Sequence, residues 1–379
     1  MNLPAISVVI PMYNMEKFIG ECLDSLFAQT FTDFEVIVVD DCSTDNSAAI
    51  VESYTPKFGG RLKLLKLKKN SGGAPAPRNR GIKFALGEYF FFMDSDDALM
   101  PNGLKVMYSA AKNFNADIVH CEKWYSAHGD TISTNKNLLK INTGNRIDTI
   151  NSPIFDTQNL KERVTKLTQN RFWWAPWSHL IRREFILEND LEFPKLNIAD
   201  DLLFTIFAYC LAEKVVIIPD VLYVWRTLDN SNSRANQTNT QVEKFIHRRV
   251  NDTFLGIQIL DDFTKNFELF QTEPAYKYAL FDFFVRNQIW NLHVLYSQNP
   301  AMKFDHLIRK EFVAIGNDPI VAAFLFDKMM TLFVTSILNN NALINKFNQF
   351  AAQAQARIAQ LEAENKNLRI SVHKRLSKV

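Results

Sequence analysis

The chain has 379 residues, 47% of them hydrophobic and 22% charged, with 12 glycines and 13 prolines. That composition excludes collagen-like, low-complexity and wholly disordered chains, and the length suffices for two or three domains with sizeable cores. Lys and Arg total 43 against 41 for Asp and Glu, so bulk charge gives no support to nucleic-acid binding.

The first hundred residues alternate between strand and helix patterns. Ile6 to Ile10 is a β-branched run of the kind buried in a parallel sheet. Asn14 is placed to cap a helix whose Phe18, Ile19, Cys22, Leu23, Leu26 and Phe27 recur at helical spacing. Phe34 to Val39 predicts a second strand running into Asp40-Asp41. A helix is expected over Ser43 to Tyr54 and a third strand over Leu62 to Leu67. A Gly/Pro-rich loop, Asn70 to Pro77, leads into a helix from Arg78 to Leu86. Glu88 to Met93 predicts the fourth strand, ending at Asp94-Ser95-Asp96-Asp97. Such alternation implies an α/β, doubly wound sheet with helices on both faces.

Ala116 to Glu122 reads as one more strand, and a polar stretch follows around Ser126 to Asn151. Pattern returns over Trp173 to Arg183 and Ile198 to Leu211. Two strands are then expected, Val215 to Ile218 and Leu222 to Trp225. From about Thr240 long amphipathic runs replace strand alternation, predicting a C-terminal all-α region. Over the last residues, Ala351, Ile358, Asn365, Val372 and Val379 fall at heptad position a, with Phe347, Ala354, Leu361 and Leu368 at d. This pattern suits a coiled-coil-like helix joining copies of the chain, and equally a single amphipathic helix lying on its own domain. Its basic end, with Lys366, Arg369, Lys374, Arg375 and Lys378, suits either a helix dipole or an anionic membrane surface. The expected divisions are 1–105, 106–238, 239–344 and 345–379.

Cys22, Cys42, Cys121 and Cys210 lie far apart with no CxxC pair, which argues against a zinc knuckle or a disulfide framework and for a reducing compartment. The opening residues read as a strand rather than a signal peptide, and no window has the apolar length of a membrane span. The expected location is therefore the cytoplasm, at most peripheral at the inner face of the cell membrane.

Chemistry-bearing clusters follow the strands in succession. Pro11-Met12-Tyr13-Asn14 follows the first, Asp40-Asp41 ends the second, the Gly/Pro loop follows the third, and Asp94-Ser95-Asp96 ends the fourth. In a doubly wound sheet, ligands sit at the carboxyl ends of the strands. Asp-x-Asp at such an end offers hard oxygen ligands to Mg²⁺ or Mn²⁺, alongside phosphate oxygens and water; the alternative is a solvated acidic turn. Asp41 is either a turn residue or a carboxylate accepting a uracil imide N–H, with Tyr13 over the base or ribose. Arg78 is either a helix-surface charge or a phosphate contact.

Ser7 to Asn14, Val39 to Asp45, Asn70 to Gly73 with Arg78 to Gly81, and Asp94 to Asp97 together resemble the family 2 glycosyltransferases. The likeness is strongest over about residues 3–105 and continues to about 235 through Trp177, Leu180, Arg182-Arg183, Asp200 to Phe204, Tyr223 and Arg226. It implies a GT-A fold, a nucleotide-sugar donor, a glycan or lipid-linked glycan acceptor, and transfer with inversion in the synthesis of a bacterial surface polysaccharide. It further implies that Pro11, Tyr13 and Asp41 hold uridine, with Asn14, Arg78, Asp94 and Ser95 on the donor side. Asp96, with Asp94, would hold Mn²⁺ or Mg²⁺. Asp201 matches the family's general base. Trp177, His179, Asp200 and Arg226 match the acceptor or diphosphate side. Three positions depart from the family pattern: Asp200 stands for a usual Glu, His179 for a frequent Lys, and Pro77 for a common Ala.

Rival readings fit less well. A sugar-nucleotide pyrophosphorylase needs a glycine-rich basic loop after the first strand, where Pro11 to Asn14 stands. A haloacid-type phosphatase needs its Asp after the first strand, and a dinucleotide fold lacks its G-x-G-x-x-G because Ala-Pro-Ala-Pro follows Gly72-Gly73. A non-catalytic scaffold of a polysaccharide assembly is the alternative outside enzymes.

Overall fold

The computed structural model describes residues 3–129, 132, 139–143, 150–227 and 239–298. The heptad segment and basic tail, and with them the expected self-association and membrane contact, lie outside the described residues, as does the end of the predicted all-α region.

The chain opens with β1 (Ile6–Met12), α1 (Ile19–Phe27), β2 (Phe34–Asp40), α2 (Ser47–Tyr54), β3 (Leu62–Lys66), α3 (Pro75–Phe84) and β4 (Tyr89–Phe92). β1 pairs in parallel with β2 on one side and β4 on the other, and β2 pairs in parallel with β3. Every residue of β1, β2 and β4 is buried. That is why they read as unbroken apolar runs rather than alternating ones: both faces of a parallel sheet are covered. α1 contributes Ile19, Cys22, Leu23 and Leu26 to the cover, the 3.6-residue stripe expected.

Three boundaries differ from the sequence reading. Asn14 does not cap α1, which begins only at Ile19 with no side-chain cap. Instead Asn14 adopts a left-handed φ of 54° and its Oδ1 accepts from Thr44 N at 2.8 Å. α2 starts at Ser47, because Ser43 and Thr44 are engaged by this loop-to-loop bonding. α3 starts at Pro75 rather than Arg78. A proline in the first turn lacks only an N–H that would have no helical partner anyway.

The chain continues through β5 (Ala98–Leu99), α4 (Gly103–Phe114), β6 (Ile118–His128), β7 (Lys140–Thr143), β8 (Ile154–Phe155), α5 (Leu160–Thr168), a 3-10 turn (Pro176–Ser178), β9 (His179–Arg182), α6 (Arg183–Glu188), α7 (Asp200–Leu211) and β10 (Val215–Thr227). The sheet order is β3-β2-β1-β4-β9-β6-β10-β5, with β7 added on β6 and β8 on β10. β9 runs antiparallel to both β4 and β6. The sheet is therefore mixed, as the doubly wound α/β expectation with a GT-A arrangement requires. The two strands expected over 215–225 are one, β10, broken in register between Ile218 and Val221 and again before Tyr223. Pro219 sits in that irregularity, where a missing N–H costs no ladder bond.

Beyond β10 come α8 (Asn239–Thr264), α9 (Glu268–Thr272) and α10 (Pro274–Gln298), so the described part of the predicted all-α region is helical. The chain forms two compact units, residues 1–237 with 251–284, and 238–250 with 285–379. In the second, Arg249 Nη1 donates to Gln288 Oε1 at 2.7 Å. No helix among the described residues is long and apolar enough to cross a membrane.

Candidate active site

The carboxyl ends of β1, β2 and β4 lie side by side and carry the expected rim. Asp41 N donates to Met12 O at 2.8 Å, which joins the first two ends. Tyr13 is 44% exposed, available to cover a ligand, whereas the Asp41 carboxylate is buried. Asp41 accepts from Ser71 N (2.8 and 3.0 Å) and from Ser71 Oγ (2.9 Å), and its carbonyl accepts from Asn70 Nδ2 at 2.9 Å. Asp41 thus organises the Asn70–Gly73 loop as well as facing the rim. Gly72, at a φ of +89°, makes that turn where an L side chain would be strained. Pro11 is buried within β1.

After β4, Asp94-Ser95-Asp96-Asp97 forms a turn closed by Asp97 N to Asp94 O at 3.2 Å. Asp97 is not a rim residue: it is 1% exposed, accepts from Tyr223 Oη at 2.7 Å and from Arg226 N at 2.7 Å. Tyr223 Oη also accepts from Asp94 N at 3.2 Å. The turn is thereby anchored to β10, and Asp94 and Asp96 are left only partly buried, with Ser95 buried between them. Burial first, and then the neighbouring Asp94, push Asp96 up to about 6. A cation relieves that conflict, and two hard carboxylates supplemented by phosphate oxygens and water suit Mg²⁺ or Mn²⁺. No group of three or more acidic, His or Cys side chains that could hold a metal ion occurs among the described residues.

Arg78, read as either a helix-surface charge or a phosphate contact, is not on the surface: it is buried and enclosed between carboxylates. Its Nη2 reaches Asp94 Oδ1 at 2.9 Å and its Nη1 reaches Asp200 Oδ2 at 3.0 Å. Burial opposes its charge, yet Asp94, Asp200 and Asp201 outweigh it and raise its pKa. The guanidinium lies 5.1 Å from the Phe193 ring, itself stacked at 3.9 Å on Phe204 of α7. α3 is fixed to the same segment by Asn79, which donates to Phe193 O and accepts from Phe193 N, both at 2.8 Å. One side chain from α3 therefore ties the end of β4 to the start of α7.

α7 begins with Asp200-Asp201 immediately after Ala199, a non-glycine residue at a φ of 70°. Asp200 is buried, and burial followed by its neighbour Asp201 raises its pKa against the opposing pull of Arg78. Asp201 is the one residue of Asp200 to Cys210 that the fold does not bury. Its Oδ1 accepts from its neighbour's N–H, Leu202 N, at 2.8 Å.

Three residues expected on the acceptor or diphosphate side prove interior. His179 is 1% exposed, with Nε2 3.1 Å from His120 Nδ1 and Nδ1 3.0 Å from Ala175 O. Burial pulls it down to about 3, so it is neutral. Trp177 is buried flat against Tyr223, centroids 4.4 Å apart and planes within 4°. Arg226 is consumed by the fold: it pairs with Glu21, donates Nε to Asp96 O at 2.6 Å and Nη1 to Gly129 O at 3.1 Å, and covers the Phe18 ring. Its contribution is to hold the backbone of the Asp94–Asp97 turn. Glu21, Ser71, Asp97 and Tyr223 complete the supports. Of these, Ser71, Asp97 and Tyr223 fall within motifs visible in sequence; Glu21 looks like any helix-surface acid.

The family model described as glycosyl transferase family 2 matches residues 7–171. The chain is 32% identical over 230 residues to EpsJ, an uncharacterized glycosyltransferase of Bacillus subtilis, covering 60% of this chain and 63% of that one. It is 35% identical over 224 residues to the poly(ribitol-phosphate) beta-N-acetylglucosaminyltransferase TarS of Staphylococcus aureus, covering 58% of this chain and 35% of that one. It is 32% identical over 229 residues to the glycosyltransferase GlyG of Streptococcus pneumoniae, covering 60% of this chain and 73% of that protein. Its match therefore spans less than two thirds of EpsJ and about a third of TarS. The crystal structure of TarS 1-349 in complex with UDP-GlcNAc is similar with a TM-score of 0.52 at 26% identity, over 88% of this chain and 81% of that one.

Proposed function

The chain belongs to glycosyl transferase family 2, and from that premise we propose that it transfers a sugar from a UDP-sugar to a hydroxyl of a glycan or lipid-linked glycan, with inversion. The acceptor class is a bacterial surface polymer, such as a capsule, a lipopolysaccharide or a wall polymer, elongated at the cytoplasmic face of the membrane. The observation that carries the reading is the Arg78 bridge. It brings a carboxylate from the donor end of β4 and the first turn of α7, where Asp201 is only partly buried, onto one guanidinium.

In this reading Tyr13, Asn14 and Asp41 receive the uridine, the carboxylate of Asp41 being kept in place by Ser71. Asp94 and Asp96 would hold Mg²⁺ or Mn²⁺, which when bound offsets charge on the diphosphate. Asp201 takes the proton from the acceptor hydroxyl as its oxygen attacks the anomeric carbon, and the nucleoside diphosphate leaves from the opposite face. Both bonds change in one displacement with oxocarbenium character, as in glycoside hydrolysis, and no covalent enzyme intermediate is required. Arg78 keeps Asp200 and Asp94 in fixed relation, so that base and donor stay in register. Residues 1–105 are the donor half and 106–238 the acceptor half in this scheme.

The test is hydrolysis or transfer across a panel of nucleotide sugars with Mn²⁺ present. Turnover of a UDP-sugar, lost in Asp201→Asn, is the expected result. Binding without any turnover, across the panel and with surface-glycan acceptors supplied, would favour the scaffold instead.

A further inference from the structure

The loop that delivers Asp201 is held from a second side, by a residue far along the chain. Asn197 N donates to Asp252 Oδ2 at 3.0 Å, and Asn197 Nδ2 donates to Asp252 Oδ1 at 3.1 Å. Asp252, from α8, is 4% exposed. Each carboxylate oxygen thus accepts from Asn197, one from its backbone and one from its side chain. Charge-assisted bonds of this kind are about twice as strong as neutral ones.

Asn197 stands at a junction. Two residues on, Ala199 takes its left-handed turn and α7 begins with Asp200-Asp201. Across from it lies the loop that holds Asp41: a Cβ placed on Gly72 would lie 3.7 Å from Asn197 Oδ1, and one on Gly73 would lie 3.7 Å from Asn197 O. Movement of Asn197 therefore reaches the base through the chain, and Asn197 lies close beside the donor loop. A left-handed non-glycine residue holds its conformation only where its surroundings impose it, and the Asp252 clamp is such an imposition, two residues before Ala199.

We infer that Asp252 is a positioning residue for the transfer step, setting where Asp201 stands relative to the donor. The inference rests on the family reading of Asp201 as base. An asparagine at 252 can accept only one of the two bonds and sets an N–H₂ against the other donor. Asp252→Asn is therefore expected to lower kcat by about tenfold or more while the donor KM moves by less than about threefold, the split expected when a reacting group is misplaced. The exchanged pair Asp252→Asn with Asn197→Asp restores two bonds: Asn197's backbone N–H, unchanged by the swap, to the new amide oxygen, and the new amide N–H₂ to the new carboxylate. It is expected to recover most of kcat.

Amide hydrogen exchange supplies a readout independent of activity. In Asp252→Asn the peptides covering 196–204 and 70–74 should exchange faster, with those of β1 and β2 unchanged. Wild-type kcat in Asp252→Asn, or unaltered exchange over 196–204, would overturn the inference. A chain that turns over no nucleotide sugar yet shows this exchange pattern would instead overturn the functional reading and leave the clamp standing.

Discussion

Arg78 serves two carboxylates from one buried position, and its removal would leave Asp200 enclosed with no cation. Asp200 and Arg78 have only 9% and 6% of their side chains exposed, so solvent cannot take over. Arg78→Ala is expected to destabilise the fold by about 3–5 kcal/mol, measured by denaturant unfolding; a loss below about 1 kcal/mol, the range of exposed pairs, would contradict the buried-bridge description. Asp201 differs because it is not buried: Asp201→Asn is expected to cost about 10²–10⁴ in kcat while UDP affinity, read by calorimetry, stays within about threefold. Ala199 is held at a φ of 70°, so Ala199→Gly should raise the unfolding free energy by about 0.5–1 kcal/mol. At this scale Asp94 and Asp96 were legible because they end the apolar run of β4, whereas Asp201 was reached only through the resemblance, from its place ahead of Leu202-Leu203-Phe204. Arg226 and His179 were not, because a charged or polar letter does not disclose burial, and the partner of Arg226, Glu21, lies 205 positions away.

His179 opens β9 directly after the 3-10 turn, and β9 carries it against His120 of β6, with Phe172 and Ser178 packed on the pair and Tyr209 stacked on Phe172. Held near 3 against an ordinary 6.5, it binds fewer protons folded than unfolded. Stability is then fully present above about pH 6.5 and falls as pH drops, by about 1.4 kcal/mol per unit, until about pH 3. Unfolding measured from pH 7 to pH 4 should show that slope, and His179→Gln, which cannot take the charge, should reduce it; an unchanged slope would assign acid loss elsewhere. Elements themselves were read well where both faces of a strand are covered, as in β1, β2 and β4. They were read poorly where side chains bond across loops. Asn14 is a good capping residue by type, but Thr44 claims its oxygen. Pro75 and Pro77 look like loop residues until they are seen to form the first turn of α3.

At the largest scale, residues from positions 13 to 252 converge on one sheet edge, through parallel crossovers and the antiparallel strand β9 set between β4 and β6. Local pattern announces the crossovers; it is silent on β9 and on the pairing of Asp252 with Asn197, because no periodicity links such distant positions. Convergence makes ligand binding a global event. UDP with Mn²⁺ at a hundredfold over its dissociation constant should add about 2.7 kcal/mol, raising Tm by about 3–6 °C, with EDTA abolishing the gain; an equal rise in chelator would remove the cation from the site. α3 crosses β1 with no room for a side chain between them. A methyl group on Gly81 would come within 2.3 Å of Val9 Cγ1, a stiff branched side chain that is fully buried. Any side chain at 81 would act as a wedge, lifting the helix and withdrawing the guanidinium one turn earlier from between its acids. In a saturation screen scored by nucleotide-sugar turnover, codon 81 should therefore score as intolerant as codon 201, although position 81 lies in the interior, against Val9.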